Sequence, residues 1–303
     1  MRAVNALPAA LLLLAAGCGT VRHQVPVVHE RQVRLDVTPP QGAVPDLEVA
    51  FVRGIVVVEP GAELAGSIEA SVTAASEEEV ERHAAAITPR VAVDATSGRL
   101  VLSLSHPEGA SLAAVSATFR LQVPPQTALT IRTDSGDVSC RGYGGDLTVD
   151  TKSGDIDVTL AGGSAELRNQ RGRIRLRGEF AAASLHNDTG RTELLCPGGI
   201  APLVDVQQGT GPLVVGLREM QRLQCAATGE VRGWQLDPTV SVEWTETRPL
   251  DGEDLQVGTI GDPLGFASGD LQVRAAGSVR VSLVSLPGLQ AMAPAAATQS
   301  SAR

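Results

Sequence analysis

Between residues 129 and 204 apolar and polar positions alternate in short runs, and a glycine opens each run at a fixed interval. Stepping nine residues from Gly136 lands on Gly145, Gly154, Gly163, Gly172, Ala181, Gly190 and Gly199. The second residue after each step is Val138, Leu147, Ile156, Ala165, Ile174, Ala183, Thr192 and Ala201. The fourth is Cys140, Val149, Val158, Leu167, Leu176, Leu185, Leu194 and Leu203. The positions between them are mostly polar. Alternation with period two marks a strand with one buried face, and glycine tolerates the turn conformations that other residues resist. Each nine-residue unit therefore predicts a turn plus a short strand with two inward residues.

Nine is only the half-period. Thr-Asp-Ser, Thr-Lys-Ser, Asn-Gln-Arg and Asn-Asp-Thr precede Gly136, Gly154, Gly172 and Gly190, and the alternate units lack this signature. The first inward residue is bulky and β-branched in one set (Val138, Ile156, Ile174) and small in the other (Ala165, Ala183, Ala201). The repeat is thus eighteen residues with two unlike strands. Self-similarity at a short fixed period predicts a solenoid whose neighbouring coils bury a continuous core. The expected fold is all-β, a single-stranded parallel β-helix whose coils stack about 4.8 Å apart. Thr133, Thr151, Asn169 and Asn187 then fall in one ladder beside the structural glycines Gly136, Gly154, Gly172 and Gly190.

Ahead of the repeat, short β-runs are expected at Leu47 to Val52, Ile55 to Val58, Ile68 to Thr73, Val91 to Val93, Leu100 to Leu104 and residues 116–125. One short helix interrupts them. Ser76 and Glu79 make a capping box, Glu77 and Glu78 sit on the positive end of the dipole, and Val80, Ala84 and Ile87 share a face. Pro89 closes it. Past Gly199 the rhythm loosens: residues 245–266 are expected to include an edge loop, and 268–284 to return as a last coil. The domain expected spans 46–285, with the regular coils at about 129–204 and a small, polar, disordered tail at 286–303.

The first residues read as an address. Arg2 is a minimal positive region, and Leu7 to Ala16 is an apolar run too short to span a bilayer but suited to a secretory signal. The run ends in Ala15-Ala16-Gly17-Cys18, which resembles the lipobox of bacterial lipoproteins. That resemblance implies a signal peptide over 1–17, lipidation at Cys18 and a tether over 18–45, which includes the short alternating run Val33-Leu35-Val37. Ala15 departs from the usual leucine of that motif, and an ordinary signal peptide with a nearby cysteine is the alternative. Gly19, where an aspartate would favour retention at the inner membrane, resembles an outer-membrane address.

With this leader, the Ser-Gly-Asp-Val/Ile phrases and Gly-Gly-Asp-Leu-Thr-Val at 144–149 resemble the bacterial putative-adhesin family of β-strand-repeat proteins. The resemblance covers roughly residues 45–285, including the capped helix and the Leu-Gln-Val-Pro lead-in. It implies a right-handed β-solenoid of unknown function in the cell envelope, and it brings no catalytic residues.

Composition constrains both the core and the partners. Aromatic residues make up only 2% of the 303, so the core must be layered from Val, Leu, Ile and Ala. The net charge of −9, with signs interspersed and no basic stripe, excludes a nucleic-acid surface. Cys140, Cys196 and Cys225 lack metal-ligand spacing and read as small buried hydrophobes.

Candidate chemistry is sparse. Asp137 and Asp155 share a ladder position that Arg173 and Arg191 continue, while Asp157, Arg175 and Glu193 share another. Such alternation reads as a solvated face with modest ion pairs rather than paired catalytic carboxylates. One glycine per strand, with arginine where oxygen ligands would be needed, fails the calcium-binding nonapeptide pattern. His23, His29, His83, His106 and His186 are scattered without a zinc motif, so no metal or cofactor is expected. Trp234 and Trp244 fit a cap on the end of the solenoid, or a platform for a sugar. The function expected is a non-catalytic envelope lipoprotein, an adhesin-like binding or structural module. Its partners would be the membrane, through the lipid, and an envelope protein or polysaccharide. The alternatives are a polysaccharide-acting enzyme on the same scaffold and an envelope-stress accessory protein that docks a membrane partner.

Overall fold

The computed structural model describes residues 29–37, 46–105, 115–198, 202–217, 221–236, 240–250, 253–262 and 266–285. They form an all-β structure, one mixed sheet of eighteen strands with a single helix. Burial alternates along the strands of the regular repeat, as the sequence pattern requires. In β7 (Ala128–Tyr143), Leu129, Ile131, Val138 and Cys140 face inward while Arg132 and Asp137 face out.

Two parallel ladders form the body. The first runs through the leading part of β2 (Asp46–Pro60), the leading part of β7, β8 (Leu147–Thr151), β10 (Ser164–Arg171), β12 (Ala182–Thr189) and the leading part of β14 (Leu203–Leu217). The second runs through the trailing parts of β2 and β7, β9 (Ile156–Ala161), β11 (Ile174–Glu179), β13 (Thr192–Gly198) and the trailing part of β14. Leu147, Ala165 and Ala183 are successive partners in the first ladder, and Ile156, Ile174 and Thr192 in the second. The eighteen-residue spacing read from the sequence is therefore the spacing of the pairing. Inward residues of both ladders meet in one continuous hydrophobic cluster that includes Val149, Val158, Leu167 and Leu176.

The ends depart from the periodic expectation. The last strand, β18 (Phe266–Ser285), does not lie outermost: it inserts in parallel between β14 and β15 (Gln221–Leu236). Residues expected as an irregular edge loop instead form a hairpin. In it β16 (Ser241–Leu250) pairs antiparallel with β17 (Glu253–Gly261), and β17 pairs antiparallel with β15. At the other end, β5 (Leu100–Leu104) and β6 (Val115–Val123) pair in parallel with the two parts of β2. Antiparallel strands β4 (Pro89–Val93), β3 (Ala65–Ala74) and β1 (His29–Val37) then extend the two ladders outward. The alternating run assigned to the tether is thus β1, a strand of the sheet. The two runs expected at 47–52 and 55–58 are one strand, β2.

The helix forms where expected. α1 (Glu77–Ala86) starts at Ser76, whose hydroxyl accepts from the Glu79 amide at 3.3 Å, and it buries Val80, His83 and Ala84 against β1 and β3. A second correction concerns Leu203, expected to face inward. It is 58% exposed, and Val204 and Val206 fill the core instead. Ala183 pairs with Val204 and Thr192 with Leu213, so three extra residues enter between β13 and β14 and flip the parity.

Candidate functional site: the corner between the ladders

In the regular repeat the chain passes from the first ladder to the second at a glycine. Gly154, Gly172 and Gly190 have φ of 137°, 131° and 140°, a region that favours glycine. Space demands it too. A Cβ on Gly136, Gly154, Gly172, Gly190 or Gly211 would lie 1.9–2.1 Å from the carbonyl oxygen of the corner glycine stacked next to it. The column begins at Gly54, the register partner of Gly136.

The aspartate that follows the glycine has its own task. Asp137 Oδ1 accepts from the backbone N–H of Asp155 at 2.8 Å, and Asp155 Oδ1 accepts from that of Arg173 at 3.0 Å. At the opposite corner, Asp146 Oδ1 accepts from the Ser164 amide at 3.0 Å. Each carboxylate thus caps an amide one coil further on. The repeated Gly-Asp phrase supplies close approach from the first residue and a stitch between coils from the second.

Beside the glycines runs a buried polar column. Thr133, Thr151, Asn169 and Asn187 are successive register partners, and Gln208 follows Asn187. Asn169 Nδ2 donates to the Gly154 carbonyl at 2.8 Å, Asn187 Nδ2 to that of Gly172 at 3.2 Å, and Gln208 Nε2 to that of Gly190 at 2.8 Å. Gln208 lay hidden from a nine-residue count because the three-residue insertion displaces it. Its signal was chemical: an amide followed by a turn glycine.

The outer face of the second ladder carries a denser network than a solvated face. Arg175 Nε and Arg191 Nε reach the two oxygens of Glu193 at 2.5 and 2.6 Å, and the Glu193 side chain is only 7% exposed. Burial pushes the Glu193 carboxyl up. The hydrogen bond from Arg175 and the charges of Arg175, Arg191 and Arg173 together outweigh it, holding the group below the usual glutamate value. Arg177 binds Asp157 at 3.3 Å, and Arg173 binds Asp155 at 3.1 Å.

Two clefts open along the outside of the corner. One of about 430 Å³ is walled by Phe51, Val52, Leu104, Arg132 and Lys152. The other, of about 220 Å³, is walled by Ser116, Ser135, Ser153 and Asp137. Arg53 lines both. Phe51 occupies the column position of Thr133, and its ring centroid is 4.9 Å from that of the buried Phe119. Lys152 Nζ meets Asp134 Oδ1 at 2.6 Å, and that hydrogen bond leads the causes raising its pKa. Sequence reasoning missed this place because Phe51 precedes Thr133 by 82 residues, outside the eighteen-residue rhythm.

Other expected residues are dispersed. Cys140 and Cys225 are free and buried, and burial pushes both thiols up to about 12; the side chain of Cys196 lies outside the described set. His186 contacts Gln207 at 3.1 Å and Asp188 at 2.8 Å on the first ladder's outer face, far along the chain from His83 on α1. Among the described residues no group of His, Cys, Asp and Glu is arranged to hold a metal ion. Trp244 is partly buried against the main core at the β16 end, whereas the Trp234 side chain, Cys18, His23 and His106 lie outside the described residues.

No family model and no curated protein matches the chain. Among solved structures it is similar to a putative adhesin from Bacteroides fragilis, at 12% identity and a TM-score of 0.41, over 84% of this chain and 98% of that one. A putative cell adhesion protein from Clostridium sporogenes is matched at 12% identity and a TM-score of 0.33, over 84% of this chain and 100% of that one. A putative lipid binding protein from Parabacteroides distasonis is matched at 7% identity and a TM-score of 0.24, over 84% and 96%.

Proposed function

We propose that the protein is a non-catalytic module of the bacterial envelope, a right-handed parallel β-helix anchored through a lipid on Cys18 and facing an envelope protein or polysaccharide. The observation that carries this reading is the commitment of the outward carboxylates. A glycosidase needs two carboxyl groups poised across a groove. In the regular coils Asp155, Asp157 and Glu193 are instead bound to arginines, and Asp137, Asp146 and Asp155 cap amides of the next coil. Their role is to join coils. Right-handedness rests on the rule that crossovers between parallel strands of one sheet are right-handed.

The leader supports the anchor: small residues precede Cys18 after a short apolar run, and Gly19 fits an outer-membrane address. Detergent phase partitioning of full-length protein from the native envelope tests it. Wild type is expected in the detergent phase, and Cys18→Ser unprocessed or in the aqueous phase. Wild-type protein in the aqueous phase would contradict the anchor.

A further inference from the structure

We propose that the paired clefts around Arg53 form a binding site for a neutral oligosaccharide. The inference deepens the binding-module reading and rests on it.

A pyranose ring presents an apolar C–H face and a rim of hydroxyls that both donate and accept, so its site needs an apolar platform and polar groups of both kinds. The larger cleft supplies the platform: Phe51, Val52 and Leu104 form an apolar wall, and Phe119 backs the Phe51 ring. At about 430 Å³ it falls within the range of small-molecule sites. The rim supplies donors from Arg53, Arg132 and Lys152 and acceptors from Asp134 and Asp150, and the adjoining cleft adds the Ser116, Ser135 and Ser153 hydroxyls.

The charge balance selects the class of sugar. Across the described lining, Arg53, Arg132 and Lys152 are matched by Asp134, Asp150 and Asp137. Neither sign is in surplus, and Lys152 is already held by Asp134 and Arg132 by Glu48, at 2.6 and 3.6 Å. A polyanion meets no free cationic surface here, and the chain's net charge of −9 repels it at long range. A cationic glycan is drawn in at long range by the same charge but finds no carboxylate surplus in the cleft itself. An uncharged ring needs no surplus of either sign and uses donors and acceptors alike.

Calorimetry on the full chain tests the site with cellotetraose, maltotetraose and the tetramer of N-acetylglucosamine as neutral probes. Tetragalacturonate and the glucosamine tetramer serve as anionic and cationic counterparts. At least one neutral probe should bind, and the charged pair about tenfold or more weakly. Lys152→Ala and Arg53→Ala should each weaken the neutral probe by about threefold to tenfold, and Phe51→Leu similarly by removing the ring. Glu246→Ala, on β16 at the far end of the stack, should leave affinity unchanged. Melting of every variant separates lost binding from lost fold, and the two rim variants decide the matter if Phe51→Leu unfolds. Silence from all three neutral probes, equal binding of a charged one, or wild-type affinity in both rim variants would overturn the proposal. None of these results alters the phase-partitioning outcome, so failure of the cleft is distinguishable from failure of the envelope-module reading.

Discussion

Gly172 and Gly142 both adopt positive φ, 131° and 66°, but for unlike reasons. A Cβ on Gly142 meets nothing within 4 Å, whereas one on Gly172 would strike the Gly154 oxygen at 2.0 Å. Gly142→Ala should therefore cost only the left-handed penalty, about 1–2 kcal/mol. Gly172→Ala should cost well beyond that same penalty, because its Cβ would push apart two stacked strands. Paired thermal melts check this, and similar losses for both would contradict the corner column. The thiols make a second test at this scale. With pKa values pushed up to about 12, Cys140 and Cys225 remain thiols at neutral pH and should resist iodoacetamide in the native protein. Peptide mapping should find them alkylated only after denaturation. The corner glycines were legible in the sequence because a steric rule repeats them at eighteen-residue intervals from Gly136 to Gly190. The aspartates' capping role was not, since a surface charge and a stitch between coils look alike in one dimension.

Among elements, the ladder registers were readable wherever strands follow each other at a constant interval, because in-register stacking forces like residues onto like positions. The insertion before β14 broke that reading: one odd-numbered addition exposed Leu203 and put Val204 in its place. The insertion of β18 between β14 and β15 had no periodic trace at all, because it depends on which edges meet in space. On the second ladder, β11 and β13 are joined by the buried Glu193 and its arginines. Its pKa is lower folded than unfolded, so its contribution is fully present above the unfolded glutamate value of about 4.3 and fades as pH falls through the lower folded value. Glu193→Gln should lower stability at neutral pH by about 1–3 kcal/mol. It should also flatten the acid limb of stability against pH below about 4.3. Chemical denaturation across pH measures both, and an unchanged acid limb would contradict the assignment.

For the whole molecule, the β-helix proposed above implies that each eighteen-residue unit depends only on its neighbours, so units can be removed one at a time. Two deletions put this to the test. Removing residues 154–171 joins Ser153 to Gly172, which places β8 against β12 and β7 against β11 with the glycine column, the Thr/Asn column and the inward parity intact. Removing residues 154–166 joins Ser153 to Leu167 and destroys all three. Circular dichroism and thermal melting should find the eighteen-residue deletion folded and cooperative, and the thirteen-residue deletion unfolded. An unfolded eighteen-residue deletion beside a folded wild type would contradict the stack.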